Sequence, residues 1–93
     1  MRRLARTDRN HAAIVGALRA IGWYVIDLSR AGAGIPDLLC VRGGIVKLVE
    51  VKDGAKPASR RKLTAKQVEL HGECQLAGVP VVILESVEQA VQL

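Results

Sequence analysis

The sequence predicts an α/β fold: a mixed β-sheet flanked by helices, in the order α-β-β-β-α-β-α. Three observations predict it. Apolar residues recur at helical spacing in two separated stretches, one through Ile14, Leu18 and Ile21, the other through Val68, Leu70 or His71, and Cys74 to Ala77. Between and after them lie apolar runs too short for helices. Two of those runs, 37–42 and 45–52, are joined only by Gly43-Gly44, which suits a two-residue primed hairpin turn with φ > 0. Strands interleaved with helical patterns belong to the layered α/β class.

Each element has its own signals. Residues 1–6 read as a basic, flexible lead-in. Thr7 is placed to cap the first helix, with Asp8 in the first turn, where a carboxylate suits the helix dipole. Gly22 closes that helix. Trp23 to Leu28 is the first strand, followed by Ser29 and a flexible loop, Arg30-Ala31-Gly32-Ala33-Gly34. Pro36 cannot donate to a ladder, so the second strand starts at Asp37. A basic loop spans 53–63, Thr64 caps the second helix and Gly78 ends it. Pro80 to Leu84 is the last strand, and Ser86 caps a short terminal helix. With no internal repeat and no linker, residues 1–93 read as a single domain.

Composition narrows the function. A chain this short removes roughly 60–65% of its unfolded surface from water, so its core is modest. Only Trp23 and Tyr24 are aromatic, which gives an aliphatic core and excludes stacking platforms for single-stranded nucleic acid. The net charge of +5 is uneven: residues 1–9 carry +3, 10–52 +2, 53–66 +4 and 67–93 −4. Two basic segments on a dipolar chain point to a polyanion, chiefly nucleic acid. Cys40 and Cys74 lack metal-site spacing, and no apolar run reaches membrane-spanning length. The expected setting is intracellular and reducing, a cytoplasm.

The hairpin brings chemistry together. With Gly43-Gly44 as its loop, Arg42 opposes Ile45, and Asp37 opposes Glu50 on the same side of the ribbon. Their Cβ atoms are then roughly 4.5–5.5 Å apart. Lys52, two residues on, points to the same side. Leu39, Val41, Val46 and Leu48 make that side apolar, so opposed carboxylates there need compensation. A hard divalent cation held by the two carboxylates supplies it, with the Val51 carbonyl available as a further oxygen ligand. Lys52 is then placed to orient a water or to stabilise charge on phosphorus.

Ile35-Pro36-Asp37 followed by Glu50-Val51-Lys52 resembles the PD-(D/E)XK nuclease motif. The wider string, Gly34 to Leu39, Glu50-Val51-Lys52, Leu63-Thr64 and Gln67, resembles the stand-alone VRR-NUC domains of phages and bacteria. More distantly it resembles archaeal Holliday-junction resolvases. The resemblance runs from about Thr7 to the last strand. It implies a restriction-endonuclease-like core and a Mg2+-dependent endodeoxyribonuclease, with Mn2+ able to substitute, acting on four-way (Holliday) junctions in a bacterial or phage-infected cell. Asp37 and Glu50 would be metal ligands with the Val51 carbonyl, Lys52 the catalytic lysine, and Gln67 the residue that orients water or phosphate. Ser29 falls where resolvases place a serine against the scissile phosphate. Arg30, Lys56, Arg60, Arg61 and Lys62 would contact DNA, and Arg2, Arg3 and Arg6 would form a mobile arm.

Relatives often carry a carboxylate on the first helix that faces the site. Here Ala12, Ala13 and Ala17 occupy much of that helix, and Asp8 is its only carboxylate, so one well-formed metal site is expected. His11 and His71 are not expected to be ligands, although His71 lies one turn after Gln67. The small core and the resemblance favour a homodimer, with some of the surface of the terminal strand and helix, residues 80–93, contributing to its interface. The competing readings are a nicking or general nuclease on plain duplex, and a non-catalytic DNA-binding module.

Overall fold

The computed structural model describes residues 8–93; the expected arm of Arg2, Arg3 and Arg6 and the Thr7 cap lie outside the described residues. The expected element order is observed: α1 (His11–Ala20), β1 (Tyr24–Asp27), β2 (Leu38–Arg42), β3 (Ile45–Val51), a 3₁₀ turn (Ala58–Arg60), α2 (Ala65–Leu76), β4 (Val81–Leu84) and α3 (Val87–Ala90). The sheet order is β1-β2-β3-β4. The first three strands form an antiparallel meander, and β4 joins β3 in parallel after the α2 crossover. Register follows the two-residue turn: Arg42 pairs with Ile45 and Leu38 with Val49. Gly43 and Gly44 both have positive φ, 57° and 80°, which a primed turn requires.

One face of the sheet is fully covered. Ile14, Val15 and Leu18 of α1 and Ala90 of α3 pack on Val25, Leu38, Cys40, Val49, Val51 and Leu84. Trp23 is buried at the edge, with the Arg42 guanidinium 4.3 Å from its ring centroid. Arg42 also donates to the carbonyl of Ile21, which ties the end of β2 to the end of α1. The opposite face is different. It carries Tyr24, Ile26, Leu39, Val41, Val46, Leu48, Val81 and Ile83, set on one side by the strand registers. Tyr24 is 69% exposed, and Ile26, Val46 and Ile83 are also exposed. Helix α2 lies on this side with Gln67, Leu70, His71 and Cys74 partly buried, while Val68 is exposed and Leu76 is 92% exposed. Of the apolar spacing that marks α2 in the sequence, Leu70, His71 and Cys74 face inward and are partly buried, while Val68 and Leu76 face outward.

The start of α1 departs from expectation. The helix begins at His11, and Asp8 sits in the preceding turn, its carbonyl accepting from the His11 N–H. Asn10 explains the shift. Its side-chain amide donates to the carbonyls of Lys52 and Glu85, at 3.1 and 2.9 Å, and so ties the helix start to the ends of β3 and β4.

A polar cluster locks α1 to β1. His11 Nε2 lies 2.9 Å from Asp27 Oδ2, while the Ser29 hydroxyl and N–H both donate to Asp27 Oδ1. Partial burial disfavours the Asp27 carboxylate. The bonds from Ser29 and the pairing with His11 outweigh that effect and bring its pKa to about 2. Because the folded value lies below the ordinary 3.8, the contribution to stability is present above about pH 4 and is lost as pH falls toward 2. Asp27→Asn is expected to lower the urea midpoint at neutral pH, with the gap to the wild type closing between pH 4 and 2.

Candidate active site

Asp37 and Glu50 face each other at the open end of the hairpin, one step beyond the Leu38–Val49 pair. The backbone on both sides fixes Asp37. Its carbonyl accepts from Leu28 N–H at 2.7 Å, and its Oδ2 accepts from Val51 N–H at 2.8 Å. N–H and C=O of one strand residue leave the same edge, so the Val51 carbonyl also projects toward Asp37. Glu50 is 2% exposed, and Lys52 is buried beside it. Together with Asp8, Lys56, Arg60, Thr64 and Gln67, these side chains line a cavity of about 550 Å³.

Helix α2 organises the other wall. Thr64 and Gln67 form a capping box: the Thr64 hydroxyl accepts from Gln67 N–H, and Gln67 Oε1 accepts from Thr64 N–H. That same oxygen accepts from Lys52 Nζ at 3.1 Å, and Gln67 Nε2 donates to Glu50 Oε2 at 3.1 Å. One turn later, His71 Nε2 lies 3.3 Å from Glu50 Oε1. The glycine-rich loop seats the start of α2: a Cβ on Gly34, where φ is +82°, would lie 2.5 Å from the Lys66 carbonyl oxygen.

Burial pushes the Glu50 carboxyl up to about 8, reinforced by its hydrogen bond with Asp37 and by the Asp37 charge; Lys52 offsets part of this. Burial, together with the charge of Lys52, holds the His71 imidazole below its ordinary value. This donor set fits a hard cation. Two carboxylates and a carbonyl are oxygen ligands, and a positive ion among them would relieve the repulsion that keeps Glu50 protonated. Among the described residues no three His, Cys, Asp or Glu side chains form a metal cage.

The fold and this site can be set against known proteins. No protein-family model matches the chain, and no curated protein does. A solved structure described as a VRR_NUC domain matches 91% of this chain and 89% of its own, with a TM-score of 0.70 and 30% sequence identity. The chain belongs to the VRR-NUC family. The nuclease-like α/β core expected from the resemblance is the one observed.

In this VRR-NUC chain the expected site residues separate into two groups. Asp37, Glu50, Val51, Lys52 and Gln67 converge, and Lys56 and Arg60 line the same cavity. The Gln67 amide is occupied by Glu50, Lys52 and Thr64. Its Nε2 carries a second hydrogen, so these bonds do not replace the expected contact with water or phosphate. Ser29 is turned away, its hydroxyl 2.6 Å from Asp27. Arg61 pairs with Glu85 at 3.0 Å, and Arg30 and Lys62 are exposed without lining the cavity. Two residues given little weight in the sequence belong to the site. Asp8 lines the cavity and pairs with Lys56 at 3.5 Å. His71 meets Glu50, as its spacing of four from Gln67 permitted.

Because the folded pKa of Glu50 is raised, its contribution is present below the ordinary value of 4.5 and lost as pH rises through about 8. In metal-free buffer, Glu50→Gln is expected to be more stable than the wild type near pH 8. The two should converge near pH 4 in urea titrations.

Proposed function

We propose that this VRR-NUC protein is a DNA endonuclease that hydrolyses phosphodiester bonds with a divalent cation, Mg2+ or in its place Mn2+, at four-way branched DNA. The observation that carries the reading is Glu50, buried beside Lys52, facing Asp37 and raised to about 8. Opposed carboxylates out of water are costly unless a cation joins them. Asp37, Glu50 and the Val51 carbonyl would hold the ion, which when bound polarises a phosphoryl oxygen and lowers the pKa of a water.

The remaining roles follow from the side chains. Lys52, steadied by Gln67, presents its ammonium to the charge that grows on the phosphoryl oxygens. Gln67 holds Glu50 and Lys52 in fixed relation. Lys56 and Arg60 grip phosphates that flank the cut, which confers affinity without sequence choice. Hydrolysis adds the water oxygen to phosphorus and breaks one backbone P–O bond, leaving a phosphate monoester and a hydroxyl. Unpaired Cys40 and Cys74 suit action in a reducing cytoplasm.

A homodimer is part of the proposal, since two-fold symmetry places two sites on two strands of a symmetric junction. The open apolar face of the sheet and the unburied side chains of α2 support it. So does charge: fourteen Lys and Arg against five Asp and Glu give residues 1–66 a net +9, while residues 67–93 carry four acids and no base.

The first test is incubation with a synthetic four-way junction and a matched linear duplex, in Mg2+, Mn2+ or EDTA. Metal-dependent paired cuts in the junction alone are expected, lost in Asp37→Asn and Glu50→Gln. Cuts in both substrates would remove the branch preference, and binding without cleavage would remove the enzyme. Lys52→Ala is expected to slow cleavage roughly 10²–10³-fold with DNA binding kept. Replacing Lys56 and Arg60 together by Ala should flatten the slope of log affinity against log salt by about 2. Light scattering at micromolar protein should show twice the 10.0 kDa chain mass; a monomer alone would sink the dimer.

A further inference from the structure

We propose that His71 is a positioning residue for Glu50, its imidazole holding the carboxylate in the orientation that a divalent cation requires. This rests on the reading of Asp37 and Glu50 as cation ligands.

Three observations carry it. First, the contact is sequestered: His71 Nε2 lies 3.3 Å from Glu50 Oε1, with the two side chains 11% and 3% exposed. Second, the brace is two-sided. Gln67 donates to the other Glu50 oxygen at 3.1 Å from one turn earlier on the same helix, so α2 fixes both oxygens, while Val51 N–H fixes Asp37 Oδ2. Each carboxylate oxygen has two lone pairs, and one bond from a brace leaves another for a cation. Third, helical spacing sets the inward aim: His71 lies with Gln67, Leu70 and Cys74 on the partly buried face of α2 that meets the sheet.

The test is a Mn2+ titration of the full chain by calorimetry at one fixed pH, comparing wild type, His71→Leu, His71→Gln and Glu50→Gln, with urea midpoints for each. Loss of an outer-shell hydrogen bond should weaken Mn2+ binding roughly 10–100-fold in His71→Leu, and a glutamine donor should restore it to within about threefold. Low-temperature EPR of bound Mn2+ should broaden in the leucine variant and recover in the glutamine variant. A His71→Leu protein that binds Mn2+ like the wild type, whatever its urea midpoint, overturns the proposal. So does a glutamine variant as weak as the leucine one. If the wild type takes up no Mn2+, or Glu50→Gln takes it up equally well, the cation reading itself fails and this role of His71 fails with it. Uptake lost in Glu50→Gln but unchanged in His71→Leu would leave that reading standing and remove His71 alone.

Discussion

Asp37 and Glu50 repel each other across the β2–β3 hairpin, and the structure around them is arranged to make that arrangement tolerable. Val51 N–H holds one oxygen of Asp37. Gln67 and His71 hold the two oxygens of Glu50. Lys52 supplies positive charge and is itself held by Gln67. Yet Glu50 remains pushed up to about 8, so these neighbours do not fully offset burial and the adjacent carboxylate. What the protein groups leave unbalanced is one localised deficit of positive charge, open to a cavity wide enough for a hydrated ion and a phosphate.

The sheet divides its labour between its faces. The side under α1 and α3 is apolar and closed, and it supplies the buried area that stabilises so short a chain. The side under α2 is held largely by polar groups. Hydrogen bonds from Gln67 and His71, and the close seat of Gly34 on Lys66, stand where a second apolar core would be in a larger protein. The same bonds that attach α2 also orient the site. The capping box makes this coupling direct, because Gln67 Oε1 serves the helix start and Lys52 at once.

The parts of this arrangement legible in the sequence were those set by local rules. Hairpin register follows from a two-residue turn and a period of two, so the Asp37–Glu50 opposition could be read before any coordinates. Caps at Thr64 and Ser86 were legible for the same reason. Long-range polar contacts were not. Asn10 reaches Lys52 and Glu85 across 42 and 75 residues of chain, and that reach shortens α1 and moves Asp8 from the helix to the cavity. Ser29 looked like a phosphate contact by its place before the glycines, but Asp27, two residues back, takes its hydroxyl. The apolar spacing of α2 marked the helix and, through Leu70, His71 and Cys74, its inward face, but Val68 and Leu76 lie outside that face.

The hairpin also limits how this gene can change in length. Val49 and Val51 are wholly buried on one side of β3 while Glu50 points to the other. One codon added or removed within β3, between Ile45 and Glu50, would reverse that parity, putting Val49 and Val51 in water and the carboxylate in the aliphatic layer. No such rule governs the basic loop, whose ends are anchored separately by Lys52 N–H on Leu84 and by the Thr64 cap. Changes of length in the exposed stretch 55–60 would leave that parity untouched. The length of the basic loop is thus free of the constraint that sets the spacing of the two carboxylates.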